Sequence, residues 1–301
     1  MVNKIAEANL KLIEERRLPV PRTIKIRYKN VECIEYPISD STAIIFERLT
    51  TDECAIKYLE NGYGNIVIMN FASRHKPGGG YLKNGKGQEE HLCKVAPSLW
   101  NSLSTHIKYP FEPDSILLTQ NVRIMRDQDY ELLDENKNYI VNVVSASAQN
   151  LKFETYDANL IRRILENVYL TVREFFPTTE TLILGAWGCG AYQNDPYQIA
   201  NVMDWINNKY GGLYKHIIYA IPDKYNMNKF KKVIKLYGSK LDEISEDDDS
   251  EDTDNGPPPI DYLSLQKKVP CKYSRQSNVK KQFVNRKDKH RAKMFYMNNY
   301  D

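Results

Sequence analysis

Four short runs constrain this chain most, because each is apolar without alternation. They are Asn65-Ile66-Val67-Ile68-Met69, Tyr139-Ile140-Val141-Asn142-Val143-Val144, Thr181-Leu182-Ile183-Leu184 and His216-Ile217-Ile218-Tyr219-Ala220-Ile221. A strand exposed on one face alternates, whereas a strand covered on both faces does not. Between the runs the apolar spacing changes to the helical period. One such segment begins at Thr50, where Thr50-x-x-Glu53 forms a capping-box pattern, and stops at Asn61-Gly62. Another spans about 156–175, with Leu160, Ile161, Ile164, Leu165, Val168 and Val172 on one face. Two more cover about 197–208 and 226–237, and an amino-terminal helix at about 3–15 and hairpin-like strands at 22–37 come first. Strands alternating with helices predict an α/β fold, a three-layer α/β/α sandwich on a mixed sheet.

Charge marks where that domain stops. The chain of 301 residues has a net charge of only +3, but the average conceals two opposite blocks. Residues 1–241 hold 31 basic and 27 acidic side chains; nine of the thirteen residues 242–254 are acidic; residues 267–301 carry 11 basic and two acidic. Blocks of like charge repel themselves, and Pro257-Pro258-Pro259 interrupts regular structure. The reading is a folded domain over 1–240 and a disordered acidic linker and basic tail over 241–301. No run of eighteen apolar residues crosses a bilayer, and the amino terminus has no secretory pattern. Five cysteines (Cys33, Cys54, Cys93, Cys189 and Cys271) lie far apart with no CxxC pair, which opposes a disulfide framework and a structural zinc site. An intracellular location, cytoplasm or nucleus, is the corresponding expectation; heavy use of Asn, Ile, Lys and Tyr adds a viral source, and so a host cell, as one version of it.

The chemistry concentrates in the segment after the first buried strand, Asn70-Phe71-Ala72-Ser73-Arg74-His75-Lys76-Pro77-Gly78-Gly79-Gly80, which runs on to Gln88-Glu89-Glu90. Ligands of open α/β sheets bind beyond the carboxyl ends of the strands. Three glycines let backbone N–H groups turn inward around a phosphate or diphosphate, and a helix starting near Gln88 points its first free N–H groups the same way. Pro97 breaks or restarts that helix. Neighbouring helical positions diverge by about 100°, so Glu89 and Glu90 serve different ends: one reaches a scissile bond, the other holds sugar hydroxyls or caps the helix. A carboxyl beside a diphosphate keeps its proton to higher pH, as a general acid requires. The plainer alternative is a glycine turn followed by an ordinary acidic first helical turn.

Gly78-Gly79-Gly80, seven residues and Gln88-Glu89-Glu90 resemble the glycine-and-QEE signature of bacterial-type poly(ADP-ribose) glycohydrolases, and Asn70-Phe71-Ala72-Ser73 with Pro77 is similar to the stretch before it. A second segment, Leu184-Gly185-Ala186-Trp187-Gly188-Cys189-Gly190-Ala191-Tyr192-Gln193-Asn194-Asp195-Pro196, resembles that family's LGAWGCGxFxNDP, with Tyr192 in place of phenylalanine. The likeness spans about 5–237. It implies a macrodomain-like fold, no cofactor and no metal, and hydrolysis of the ribose–ribose O-glycosidic bonds of poly(ADP-ribose). It further implies Glu90 as general acid/base and Glu89 orienting the terminal ribose, with Asn70 in contact with that ribose and Gln88 among the binding residues. Gly78, Gly79 and Gly80, with the loop Gly188, Cys189, Gly190, Ala191 and Tyr192, would enclose the diphosphate. Gln149-Asn150, Ile221-Pro222-Asp223 and Val122–Asp127, with Met125 for an aromatic, match the family only loosely.

The other readings are a mono-ADP-ribosyl hydrolase acting on protein or nucleic acid, and a non-hydrolytic ADP-ribose reader. The partners expected are poly(ADP-ribose) or ADP-ribosylated macromolecules, with polyanion contact through the basic tail as an added reading and no membrane. Cys189 is read as a small buried residue rather than a nucleophile. His75, His91 and Cys93 lack metal-ligand spacing. Asp195-Pro196 opens the next helix as cap and first residue.

Overall fold

A computed structural model of the chain describes residues 3–27 and 42–234. These residues belong to the unit Met1–Asp254, one of two into which the chain divides. The acidic linker, the basic tail and the second arm of the expected hairpin lie outside the described residues.

Elements follow in the order α1 (Lys4–Glu15), β1 (Thr23–Arg27), β2 (Ala43–Glu47), α2 (Thr51–Glu60), β3 (Ile66–Phe71), α3 (Gln88–Val95), α4 (Pro97–His106), β4 (Ser115–Ile124) and β5 (Tyr139–Ala146). Next come α5 (Ala158–Phe175), β6 (Thr181–Leu184), α6 (Pro196–Tyr210), a 3-10 turn (Gly211–Leu213), β7 (His216–Ala220) and α7 (Lys224–Val233). The seven strands form one sheet in the order β1-β4-β5-β3-β6-β7-β2. β1–β4 and β4–β5 are antiparallel; the other four pairings are parallel. The sheet is therefore mixed, as expected.

The helix ends follow from local chemistry. Thr50 and Glu53 form the reciprocal capping box of α2, Thr50 N–H donating to Glu53 Oε2 at 2.7 Å. Asp195 accepts from Gln198 N–H at 2.9 Å and Pro196 is the first residue of α6. Pro97 separates α3 from α4, since it lacks the N–H that would continue α3 and suits a first helical position.

The inner strands contribute side chains to two cores, whereas the edge strand β1 leaves Lys25 and Arg27 exposed. On one face Ala6, Cys54, Leu92, Leu99 and Leu103 of α1–α4 pack against Ile68, Leu117, Val143, Ile183 and Ile218. The opposite face is covered by α5–α7; α5 packs on β4 and β5, and Phe230 of α7 lies 6.0 Å from the ring of Tyr219. Because β5, β3, β6, β7 and β2 run parallel, the loops after them emerge at one edge of the sheet. That edge holds the glycine segment.

Two strands and one helix add to the sequence reading. β4 has a buried apolar first half, but the register slips between Thr119 and Val122, where Asn121 takes a left-handed φ of 55°. A bulge there breaks the alternation that would have marked a ten-residue strand. β2, only five residues long, pairs on the sheet's edge with β7, and α4 lacks the charged first turn that marks helices in a sequence.

Candidate active site

The segment between β3 and α3 folds tightly upon itself. Tyr81 N–H donates to Gly78 O at 2.8 Å and Lys83 N–H to Gly80 O at 2.9 Å, while the buried Tyr81 ring anchors the turn 5.5 Å from Trp100. Gly78 and Gly79 have φ of 64° and 53°, the left-handed region open to glycine without strain. At Gly79 space also decides: a Cβ there would lie 2.5 Å from Glu90 Oε1. Cβ atoms at Gly85 and Gly87 would come equally close to the same side chain, at 2.6 and 2.5 Å. The glycines are thus a cradle for one carboxyl group, and Glu90 Oε1 accepts from Gly80 N–H at 2.7 Å within it.

Glu89 turns the other way, towards the end of β3. Its Oε2 accepts from Ser73 N–H at 2.7 Å and its Oε1 from Asn70 Nδ2 at 3.4 Å. Burial raises its pKa from 4.5 to about 8, aided by the nearby Glu90 and opposed by the donors Ser73, Asn70 and Gly78. A proton-holding carboxyl was expected from a diphosphate neighbour. The structure supplies one by desolvation instead, on Glu89.

Asn70, fully buried, also donates to Ser145 Oγ of β5 at 3.1 Å, and its Oδ1 has no partner among the described residues. Gln88 braces the start of α3: its Oε1 accepts from Phe71 N–H at 2.8 Å, and its Nε2 donates to Thr51 Oγ1 and Met69 O at 2.8 and 3.0 Å. Both amide hydrogens therefore serve the scaffold. On the outer side of α3, His91 lies between Asp52 (3.1 Å) and the Tyr130 hydroxyl (3.1 Å). Lys94 Nζ donates to Gly85 O at 3.3 Å and sits 5.2 Å above the Tyr130 ring. Burial lowers the Lys94 pKa while Glu90 opposes the shift.

A residue distant in sequence fixes both flanks of this segment. Asn9 of α1 is fully buried; its Nδ2 donates to Lys94 O at 2.9 Å and to the Tyr81 hydroxyl at 3.3 Å, and its Oδ1 accepts from Arg126 Nε at 2.8 Å. An asparagine on a helix carries no signal that separates it from an exposed one, so the sequence did not mark it.

The second loop follows β6. Trp187 is buried and donates to Ala146 O at 3.0 Å. Gly188 has φ of 79°, and a Cβ there would lie 2.7 Å from both Ala148 Cβ and Asn194 Nδ2. Asn194 closes the loop through Gly188 O at 3.1 Å and Gln149 O at 2.8 Å. Gly190 and Ala191 are exposed, and a Cβ at Gly190 would meet nothing within 4 Å. Cys189 is half-buried with Sγ 3.7 Å from Trp187 O, and burial pushes its thiol far above the ordinary value. It is a neutral thiol, not an activated nucleophile. Tyr192, half-buried, meets the hydroxyls of Ser73 and Ser147; burial raises its pKa, and both Glu89 and Glu90 add to the rise. The tyrosine thus brings the second loop over the end of β3, next to the two carboxylates.

Geometry and motifs point to one family. Residues 23–127 match the family model of the microbial-type PARG catalytic domain. That match contains the first motif and stops before the second. The chain is similar to the poly(ADP-ribose) glycohydrolase (PARG) of Thermomonospora curvata, with a TM-score of 0.66 and 22% identity over 76% of this chain and 97% of that one. It is also similar to the Deinococcus radiodurans PARG solved in complex with ADP-ribose, with a TM-score of 0.57 and 23% identity over 78% and 93% of the two chains. Among curated proteins none matches. The α/β fold is that of these bacterial PARG structures, and the family-model match falls on the segment that carries the first motif.

Against PARG, the loosely matching segments have identifiable work in this chain. Gln149 braces its own loop, donating to Thr155 O at 3.0 Å and accepting from Asp157 N–H at 2.8 Å. Asp223 caps α7 through Asn226 N–H at 2.8 Å. Met125 and Arg126 N–H both reach Val95 O, tying the end of β4 to α3. His75 is exposed, and no group of three or more His, Cys, Asp or Glu side chains able to hold a metal occurs among the described residues. No helix among those residues is long and apolar enough to cross a membrane.

Proposed function

We propose that the protein hydrolyses the ribose–ribose O-glycosidic bonds of poly(ADP-ribose) and releases ADP-ribose, with Glu90 as general acid/base. The observation that carries this reading is the glycine cradle around Glu90: Gly79, Gly80, Gly85 and Gly87 have no side chains in the space that its carboxyl occupies in the loop between β3 and α3. Glu90 protonates the leaving 2′-oxygen as the glycosidic bond breaks and its electron pair passes to that oxygen. Water then attacks the oxocarbenium-like carbon and yields its proton to Glu90. Glu89, neutral at pH 7 because its pKa is about 8, offers a hydrogen bond to a hydroxyl of the terminal ribose. The unpartnered Asn70 Oδ1 supplies an acceptor beside it.

The Gly188–Tyr192 loop encloses the diphosphate, Cys189, Gly190 and Ala191 acting through the main chain, and the Tyr192 ring packs on the adjoining ribose. Gly78–Gly80 border the diphosphate by shape alone, because their N–H groups go to Glu89, Lys76 O and Glu90 rather than turning to a ligand as the three glycines had suggested. The diphosphate then shares in stabilising the cationic sugar. Gln88 acts by holding α3 in place. The PARG structure from T. curvata bound to the inhibitor ADP-HPD, at 22% identity, supports ADP-ribosylated substrates. An intracellular setting belongs to the same reading, supported by the unpaired Cys54, Cys93 and Cys189.

A pure ADP-ribose reader is disfavoured by the cradled Glu90, since a binder has no need of a general acid. The test is release of free ADP-ribose from purified polymer. Glu90→Gln should abolish release and retain ADP-ribose binding. A variant that still cleaves removes Glu90 from the mechanism, and wild type that binds without cleaving makes the protein a reader.

A further inference from the structure

The loop after β5, residues 147–157, belongs to neither motif but is joined to both. Leu151 N–H donates to Tyr192 O at 3.0 Å, and Glu154 pairs with Arg74, next to Ser73, at 2.6 Å. The turn between them is closed by Asn150, whose carbonyl accepts from Phe153 and Glu154 N–H at 2.9 Å and whose Oδ1 accepts from Lys152 N–H at 3.3 Å. At the tip of this braced turn the Phe153 side chain is 86% exposed, whereas the next barest large apolar residue described, Tyr225, is 52% exposed. Its neighbour Lys152 is exposed as well. A bare aromatic ring on a fixed turn, next to the exposed Lys152, offers a stacking face with a cation for the accompanying phosphate, the combination that binds nucleotides without reading sequence.

Strand order says which nucleotide. β5 lies on one side of β3, and β6 lies on the other. In the function proposed above, on which this inference rests, the terminal unit places its diphosphate at the loop after β6 and its distal ribose at the carboxylates after β3. The polymer beyond the scissile bond leaves in the opposite direction, over the loop after β5. We propose that Phe153 stacks on the adenine of the unit carrying the leaving oxygen, with Lys152 facing that unit's phosphates. This makes a polymer-specific subsite outside the pocket for the terminal unit.

The test uses the full chain with Glu90→Gln, so that polymer is bound and not consumed, alone and combined with Phe153→Ala or Phe153→Tyr. Affinity is measured for poly(ADP-ribose) and for free ADP-ribose, which has no leaving unit. Phe153→Ala should weaken polymer binding about tenfold, the loss of one base stack, and shift ADP-ribose binding less than about twofold, while Phe153→Tyr keeps both near the parent values. Polymer affinity unchanged by Phe153→Ala overturns the proposal; so does equal weakening of polymer and ADP-ribose, which would place the ring on the terminal unit. Because these readouts are affinities, a wild type unable to cleave would refute the hydrolase reading while leaving the Phe153 comparison decided on its own.

Discussion

The two motif loops use glycine in opposite ways. In the loop after β3, the space left by Gly79, Gly80, Gly85 and Gly87 is taken by the Glu90 side chain. In the loop after β6, Gly185 is pressed by Ala220 O and Phe71 and Gly188 by Ala148 and Asn194, whereas Gly190 faces open space. The first loop is shaped by a group of the protein itself and is complete without a ligand. The second is a frame pinned at its ends by Trp187 and Asn194, with its middle open. One loop fixes the carboxyl proposed to react; the other leaves open space at Gly190.

Breaking the first loop should have the largest effect. Gly79→Ala places a methyl 2.5 Å from Glu90 Oε1 at a φ of 53°. Turnover of polymer should fall about a hundredfold, the scale on which small misplacement of a catalytic group is felt, with circular dichroism confirming that the protein stays folded. Equal activity of variant and wild type would mean that the cradle does not position Glu90.

The next effect is on stability and concerns Glu89. The folded protein holds this carboxyl protonated up to about pH 8, while the unfolded chain ionises it near its ordinary 4.5. The wild type is therefore free of this penalty below pH 4.5, loses stability as pH rises to about 8, and changes no further beyond. Glu89→Gln, which cannot ionise, carries no such loss. Denaturant unfolding should show the variant gaining on wild type from pH 5 to pH 8, by on the order of 2 kcal/mol or more. A gap independent of pH would place the Glu89 titration elsewhere.

The smallest effect sharpens the contrast from the other side. Gly190→Ala, with nothing near its Cβ, should change stability by less than about 0.5 kcal/mol, as measured by thermal unfolding. A large loss would show the second loop to be as tightly committed as the first.

The same contrast explains what the sequence disclosed. Strands β3, β6 and β7 were legible because strands buried on both faces read as continuous apolar runs, β5 because its run is apolar even though Ile140 turns out exposed, and α2 and α6 because Thr50 and Asp195-Pro196 are local caps. Glu89 and Glu90 were legible through glycine spacing and resemblance. What stayed hidden depends on contacts between distant segments. Asn9 meets Tyr81, Lys94 and Arg126 across the fold; Tyr192 meets Ser73 and Ser147 from two other loops; and the division of labour between the glutamates, one desolvated and one cradled, follows from which wall each side chain meets. Gln88 illustrates the limit well, since its place in the motif suggested a ligand contact while its amide hydrogens go to Thr51 and Met69.

The first helix gives the molecule a remote handle. Asn9 grips the turn before the glutamates and the end of the helix that bears them, and the α1 cap residue Asn3 touches the same turn, donating its N–H to Leu82 O at 3.1 Å. Removing that grip with Asn9→Ala would free the Tyr81 turn and the end of α3 at once, although Asn9 lies in neither motif.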